Sequence, residues 1–179
     1  SKMNEGGAYV SKKGDLMFMT RCPEAKNKQL KCQIYVCKKQ GPSWAEPVLL
    51  PFNIDTVSFR HAVISADGNT LYFDSRLSGG FGGNDIWMST FDAKSKEWGQ
   101  PVNLGAQVNT AGTEGYPYIA EDNKTLYFSS DTHLGMGGLD IFKVEKGADG
   151  KFTKAPENLK SPMNSAGDDF GIVYEGKKI

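Results

Sequence analysis

The chain has 179 residues, 39% of them hydrophobic, and its 21 basic residues balance 21 acidic ones. This length suggests one domain or part of one, and the balanced charge gives no reason to expect a nucleic-acid binder or a polybasic membrane anchor. No apolar run approaches the roughly 20 residues that a membrane-spanning helix needs. The 21 glycines, 8 prolines, 10 phenylalanines and 7 tyrosines are typical of β-structure connected by turns.

An internal repeat organises the sequence. Four segments recur 55 residues later without insertion or deletion. They begin at Leu71, Asp85, Pro101 and Val108, and their copies begin at Leu126, Asp140, Pro156 and Met163. An earlier unit matches less regularly, with Leu16 aligned to Leu71 at a spacing of 55 and Trp44 aligned to Trp98 at 54. We therefore predict units at 6–58, 59–113 and 114–168, and the first strand of a further unit at 169–179.

Each unit contains the same predicted elements in the same order. In the second unit, a first strand at 61–65 meets a turn at Asp67 and Gly68, where glycine accepts the positive φ that a tight hairpin needs. A second strand at 70–74, a glycine-rich loop at 79–83, a third strand at 86–89 and a short fourth strand near 101–104 follow. No segment shows the periodicity of a helix.

The strand centres, such as Leu71–Phe73, are apolar at consecutive positions. Since a sheet with one wet face would alternate apolar and polar residues, both faces must be covered. Four antiparallel strands covered on both faces predict an all-β protein built from β-propeller blades. A β-sandwich is the main alternative, but it does not explain the period. Three units and one strand make only a partial ring, so we expect further blades beyond this chain or another chain over the open edges.

All three cysteines, Cys22, Cys32 and Cys37, lie in the first unit. Cys22 and Cys32 bracket the loop in which the other units have glycines, and a disulfide there would restrain it. Such a bond fits an oxidising compartment, whereas three free thiols would fit the cytosol. Cys37 is predicted to be free. The spacing does not match a zinc site, and no metal or other cofactor is predicted.

The glycine-rich loops are interpreted as turns. A phosphate-binding loop opens a helix, but each of these loops leads into a strand. Phe81 and Met136 occupy the loop tips, where they either contact a partner or pack on the neighbouring blade. Arg76 and His133 in the same loops are further candidate contacts, with an ion pair between blades as the alternative for Arg76.

Asp85 and Asp140 precede the third strand in two units. Carboxylates could serve acid–base catalysis or calcium binding, but their repetition favours structural hydrogen bonds to backbone amides. His61 and His133 occupy non-equivalent positions, so no catalytic or metal constellation is assembled from them. The innermost strands carry mainly apolar residues such as 62–64, and the chain is predicted not to be an enzyme.

Basic residues are concentrated near the start of the chain. The patch comprises Lys26, Lys28, Lys31, Lys38 and Lys39. A solvated loop is favoured over a binding surface as the explanation of such a patch.

The Asp-Gly turn, the Leu71–Phe73 strand and the Asp-Ile-aromatic segment at 85–87 resemble the WD40-like repeat called PD40, which is found in TolB-type propellers. The loop at 79–86, the segment at 98–105 and the linker at 108–114 make the chain similar to propellers of Bacteroidetes OmpA-family envelope lipoproteins in the type IX secretion system. The resemblance covers nearly the whole chain. In that family the propeller accompanies TPR, carboxypeptidase-regulatory-like and OmpA-type domains, which these 179 residues do not contain.

The resemblance implies an exported, periplasmic protein at the outer membrane, with its export signal upstream of residue 1. It implies a non-enzymatic scaffold whose partners are proteins of the secretion machinery or cell envelope. Peptidoglycan would be reached through a domain outside this chain. A propeller that binds glycan or peptidoglycan fragments, or one that acts as a hydrolase, is the alternative.

Overall fold

Fourteen β-strands build the described part of the chain, residues 3–23 and 31–173 of a computed structural model. Blade 1 contains β1 (Met3–Val10), β2 (Leu16–Pro23), β3 (Gln33–Gln40), β4 (Ser43–Trp44) and β5 (Val48–Leu49). Blade 2 contains β6 (Phe59–Ile64), β7 (Thr70–Ser75), β8 (Asp85–Asp92), β9 (Glu97–Trp98) and β10 (Val102–Asn103). Blade 3 contains β11 (Glu114–Ile119), β12 (Thr125–Ser130), β13 (Asp140–Glu145) and β14 (Glu157–Asn158).

Every blade is an antiparallel meander of three strands completed by a short fourth strand, which is β5, β10 or β14. The first strands β1, β6 and β11 are innermost, because β6 packs directly against both of the others. Blades 1 and 3 also approach each other, because Lys12 Nζ in the turn after β1 lies 2.9 Å from Glu121 Oε2 in the turn after β11. The predicted class, a propeller of four-stranded antiparallel blades, is confirmed.

Burial follows the number of neighbouring blades. In blade 2, which lies between the other two, Leu71–Phe73 are all fully buried. In blade 3 the pattern alternates, since Tyr127 is partly exposed between the buried Leu126 and Phe128. Blade 3 has one covered face among the described residues, and an alternating strand is what one covered face produces.

Apolar side chains fill the spaces between blades. Between blades 1 and 2, the rings of Phe52 and Phe73 stack with centroids 5.1 Å apart, and Phe59 lies 5.7 Å from Phe73. Between blades 2 and 3, Tyr72 and Phe128 belong to the second buried cluster. Aromatic pairs of this kind contribute about 0.5–1.5 kcal/mol beyond the burial of their area. The blades are therefore held together mainly by their faces.

One asparagine in each connection after a blade binds back onto that blade. Its Oδ1 accepts a hydrogen bond from the backbone N–H of the isoleucine near the start of the third strand, and its Nδ2 donates to the carbonyl of the same isoleucine. These pairs, with both bonds between 2.8 and 3.0 Å, are Asn53–Ile34, Asn109–Ile86 and Asn164–Ile141. Each linker asparagine thus makes the two backbone hydrogen bonds that a residue of a neighbouring strand would otherwise make.

A backbone hydrogen bond then starts the next unit. The N–H groups of Phe59, Glu114 and Asp169 donate to carbonyls that precede the third strands of blades 1, 2 and 3. The predicted strand at 169–179 begins with this contact, but the described residues 169–173 form no strand and 174–179 lie outside the described part.

The register of the first unit differs from the sequence alignment by one residue. Val10 pairs with Met17 in blade 1, as Ile64 pairs with Leu71 in blade 2. Met17, not Leu16, is therefore equivalent to Leu71, and the alignment at a spacing of 55 is wrong here. A shift of one residue moves every side chain to the other face of the sheet, which makes the fully buried Phe18 the counterpart of Tyr72.

Cys22 and Cys32 form a disulfide that joins β2 to the segment before β3. Cys37 is free and buried, and burial raises the pKa of its thiol. Of the basic patch, Lys31, Lys38 and Lys39 are exposed. Lys26 and Lys28 lie outside the described residues.

We expect Asn109→Ala to lower the free energy of unfolding by about 1–3 kcal/mol, because it leaves the buried N–H of Ile86 without a partner and removes one of the two donors to the Ile86 carbonyl, the other being the Leu104 N–H. Denaturant titration of the variant measures this loss. Gln107→Ala is the matched control, an exposed amide in the same linker, and should change stability by less than about 0.5 kcal/mol. Equal effects of the two substitutions would contradict the role of Asn109.

Two hairpin turns hold carboxylates by hydrogen bonds. Asp67 Oδ1 accepts from Ser65 Oγ at 2.6 Å and from the backbone N–H of Asn69 at 2.9 Å. Burial raises the pKa of Asp67, but these hydrogen bonds outweigh it and the pKa lies below its ordinary value. The pKa of Asp122 is lowered in the same way, against the opposing effect of burial, by donors in the following residues.

These turns should make the fold sensitive to acid. Because both folded pKa values lie below those of the unfolded chain, the carboxylates stabilise the fold above about pH 4 and this contribution is lost as the pH falls further. We expect a lower free energy of unfolding at pH 3 than at pH 6, and a smaller drop in an Asp67→Asn/Asp122→Asn variant. Urea titrations at both pH values measure the difference, and an identical drop in the two proteins would refute the assignment.

Candidate interaction site

One end of the blades gathers the loops that carry the predicted contact residues. The first strand begins, the second ends and the third begins at this end, as the register of Phe59 with Ser75 and of Ser75 with Asp85 shows. We call this end the loop face. It comprises the loops 76–84 and 131–139 and the linkers 50–58, 104–113 and 159–168.

The glycine-rich loops lie directly on the next linker. The Gly83 N–H donates to the Gly112 carbonyl at 2.6 Å, and the Gly138 N–H donates to the Gly167 carbonyl at 3.1 Å. A Cβ on Gly82 would overlap the backbone of Ala111. Glycine is therefore required here for the close approach of two backbones.

Asp85 and Asp140 are 1% exposed and hold the loops from inside. Asp85 Oδ2 accepts hydrogen bonds from the Phe81 N–H at 2.6 Å and from Asn103 Nδ2 at 2.9 Å. Asp140 Oδ2 accepts from the N–H groups of Met136 and Gly137 at 2.8 and 2.9 Å. Charge-assisted bonds of this kind fix the conformation of each loop.

The rigid loops present apolar side chains to solvent. Phe81 and Met136 are 49% and 51% exposed, and Leu134 and Met163 are 95% and 45% exposed. We call these four side chains the apolar tips. Leu134 and Met163 were not predicted from the sequence. The position of Leu134 between His133 and Gly135 is a recognisable feature of a loop tip.

The other two predicted contacts differ from each other. Arg76 is exposed at the end of β7. His133 is half-buried, its Nε2 donates to the Val108 carbonyl at 2.9 Å, and its ring lies 5.3 Å from that of Phe142. His133 therefore joins blades 2 and 3 and offers little of its surface to a partner.

The innermost strands are not as inert as the sequence suggested. β6 and β11 each contain a bulge at which His61 and Tyr116 adopt positive φ values of 50° and 52°. Their rings stack with centroids 4.0 Å apart, and Phe170 stacks on Tyr116 at 4.7 Å. We call these three rings the inner column. Residues 62–64, which the sequence predicts on this surface, are instead buried in the core.

A buried carboxylate supports one end of the inner column. Asp74 is 1% exposed, and its Oδ1 lies 2.5 Å from His61 Nδ1. Its Oδ2 lies 3.3 Å from Arg60 Nε. Asp74 lies against Gly115 of blade 3, where a Cβ would be 3.7 Å from its carboxylate. This cluster was not predicted from the sequence, because Arg60 and Asp74 meet only through the register of β6 with β7.

A separate cavity of about 670 Å³ lies at the outer strands of blades 1 and 2, lined mainly by apolar side chains such as Val36, Leu49 and Trp98. Within residues 3–23 and 31–173, no group of three or more His, Cys, Asp or Glu side chains is arranged to hold a metal ion. The same residues include no helix long and apolar enough to cross a membrane.

Three solved structures are similar to the chain in fold. A putative TolB from Agrobacterium tumefaciens is 16% identical, with 88% of this chain and 49% of that chain covered at a TM-score of 0.55. An endo-arabinase from Bacteroides thetaiotaomicron is 18% identical, with 86% and 61% covered at a TM-score of 0.53. An α-L-arabinofuranosidase from Lactobacillus brevis is 12% identical, with 87% and 54% covered at a TM-score of 0.50.

In each case the chain spans less than two thirds of the other protein's length. No protein-family model matches the chain, and no curated protein matches its sequence. At these identities the likeness concerns the fold alone. The chain is a β-propeller protein whose described residues form three neighbouring blades.

We expect Gly82→Ala to push its loop away from the linker and to break the Gly83–Gly112 hydrogen bond. The free energy of unfolding should fall by about 1–3 kcal/mol, as for other overpacked sites. Thermal and denaturant unfolding measure the change. Gly6→Ala is the control, because a Cβ there meets no atom within 4 Å, and a loss as large as that of Gly82→Ala would contradict the close-approach role.

Proposed function

We propose that the chain is a non-enzymatic protein-interaction module of a periplasmic, outer-membrane-associated scaffold. The repeat motifs further support a role in type IX secretion, in a protein similar to PorE that reaches peptidoglycan through a domain outside this chain. A fold does not determine function, so the proposal depends on the loop face as well as on the motifs.

The observation that carries the proposal is the exposure of apolar side chains on loops that are held rigidly. Leu134, Met136 and Phe81 project from one end of neighbouring blades, while buried carboxylates and backbone contacts fix the loops beneath them. Exposed apolar groups on a preorganised surface lose little conformational entropy when a partner covers them. This arrangement suits the binding of a protein surface.

The proposal predicts that a purified chain used as bait will recover type IX secretion components from a Bacteroidetes cell-envelope extract. A Phe81→Ser/Leu134→Ser/Met136→Ser variant should recover about tenfold less, because it removes most of the exposed apolar area at the site. Quantitative mass spectrometry measures recovery. Val48→Ser is the matched control, since this 62% exposed apolar residue lies on an outer strand.

Absence of every secretion component from the wild-type sample would refute the proposed function. Equal losses in the triple variant and in Val48→Ser would show that the loop face is not the binding surface. Circular dichroism of each variant ensures that the comparison is made between folded proteins.

The inner column favours a second candidate, the binding of a glycan or peptidoglycan fragment. Phe170, the 52% exposed ring at the end of this column, offers an aromatic surface to a sugar ring. The Asp74–His61 pair would serve a hydrolase variant of this candidate, because a carboxylate can orient an imidazole for proton transfer. Calorimetric titration with muropeptides, combined with a turnover assay on His61→Ala, distinguishes these roles from the scaffold.

A further inference from the structure

A basic pocket of about 400 Å³ opens on the loop face between blades 1 and 2. This volume lies within the range of small-ligand clefts. Its polar lining consists of Lys31, Arg60, Arg76, Thr56, Ser58 and Asn84, and no carboxylate of residues 3–23 or 31–173 lines it. Three cationic groups, two hydroxyls and an amide therefore face one space.

The pocket is assembled from two blades. The Cys32 N–H donates to Ser58 Oγ at 3.2 Å, and the Phe59 N–H donates to the Cys32 carbonyl at 2.9 Å. These bonds fix the segment after Lys31 against the linker that leads into β6. Arg60 lies in β6 and Arg76 follows β7, so the blade interface itself sets the relative positions of the basic groups.

The charge in the pocket is only partly compensated. Arg60 Nε lies 3.3 Å from Asp74 Oδ2, which offsets one positive charge. Neither Lys31 nor Arg76 forms an ion pair with any residue in the described part of the chain. About two positive charges are therefore available to a ligand, and both side chains are exposed to it.

Asn84 adds an independent indication of a ligand. It is 9% exposed and lines the pocket. Its backbone carbonyl accepts from the Glu114 N–H at 2.7 Å, but its side-chain amide makes no hydrogen bond to another described residue. This amide is therefore available to donate a hydrogen bond to an oxyanion in the pocket.

We propose that this pocket binds the carboxylate of an acidic segment on a partner protein. This inference rests on the proposed interaction function and names the chemistry that one part of the loop face recognises. Arginine pairs with carboxylates through two parallel N–H donors. The loop that begins at Arg76 also carries the apolar tip Phe81, so a peptide with adjacent acidic and apolar residues can engage both.

The test uses the full chain and a fluorescent, capped peptide that contains two adjacent glutamates flanked by phenylalanines. Fluorescence anisotropy should show saturable binding that weakens as salt rises. Arg76→Gln and Lys31→Gln should each weaken binding about tenfold, the effect of losing one charge-assisted contact. Lys94→Gln, which removes an equal charge from an exposed position near β9, should leave the affinity unchanged, and Arg76→Lys should restore it only in part.

Several results would overturn the assignment. They are no saturable binding, equal binding of the peptide with glutamines in place of glutamates, or equal losses in Lys94→Gln and Arg76→Gln. Tighter binding of inorganic phosphate than of the peptide, measured by competition, would also overturn it, in favour of a phosphate site. Because the titration uses isolated peptides, its failure leaves the envelope pull-down unaffected, and the two proposals fail separately.

Discussion

The pairing of a linker asparagine with one isoleucine is the contact on which the arrangement of blades depends. A linker must lead from the outer strand of one blade to the innermost strand of the next. On this path, backbone N–H and carbonyl groups would lack hydrogen-bond partners unless a side chain supplied them. Asn109 satisfies both backbone groups of Ile86 within a buried site. The linker then directs the Glu114 N–H onto the Asn84 carbonyl, and the apolar faces of successive blades meet in a set orientation.

The same connection between blades explains why the loop face holds its apolar and basic side chains on a rigid support. Loops that lie on the following linker cannot move independently of the blades, so their apolar tips and basic groups keep fixed positions. Three of the four apolar tips, Leu134, Met136 and Met163, belong to blade 3 and its linker, whereas Phe81 lies in the same loop as Arg76 of the basic pocket. A partner surface would meet a mainly apolar region at one end and a mixed apolar and cationic region at the other, which favours one orientation of binding over others.

The repeat carried enough information to predict the blades, their order and the structural importance of Asp85 and Gly68. It did not predict the one-residue shift in blade 1, because Leu16 and Met17 suit the alignment equally well and only strand pairing separates them. The bulge at His61 was also not predicted, since the residues around it form the same sequence pattern as a regular strand. The basic pocket joins Lys31 to Arg76 across a blade boundary, and sequence distance says nothing about such a meeting.

The connection between blades also affects how such a protein can gain blades by duplication of a repeat unit. The linker and the neighbouring unit are joined by backbone hydrogen bonds between N–H and carbonyl groups. Every residue except proline supplies both of these groups. A duplicated unit of about 55 residues would bring its own asparagine and its own first-strand donor, and this connection would need no new hydrogen-bonding side chain in the unit that receives it. Selection can then act on the exposed loops of each copy separately, while the geometry of the joint stays the same.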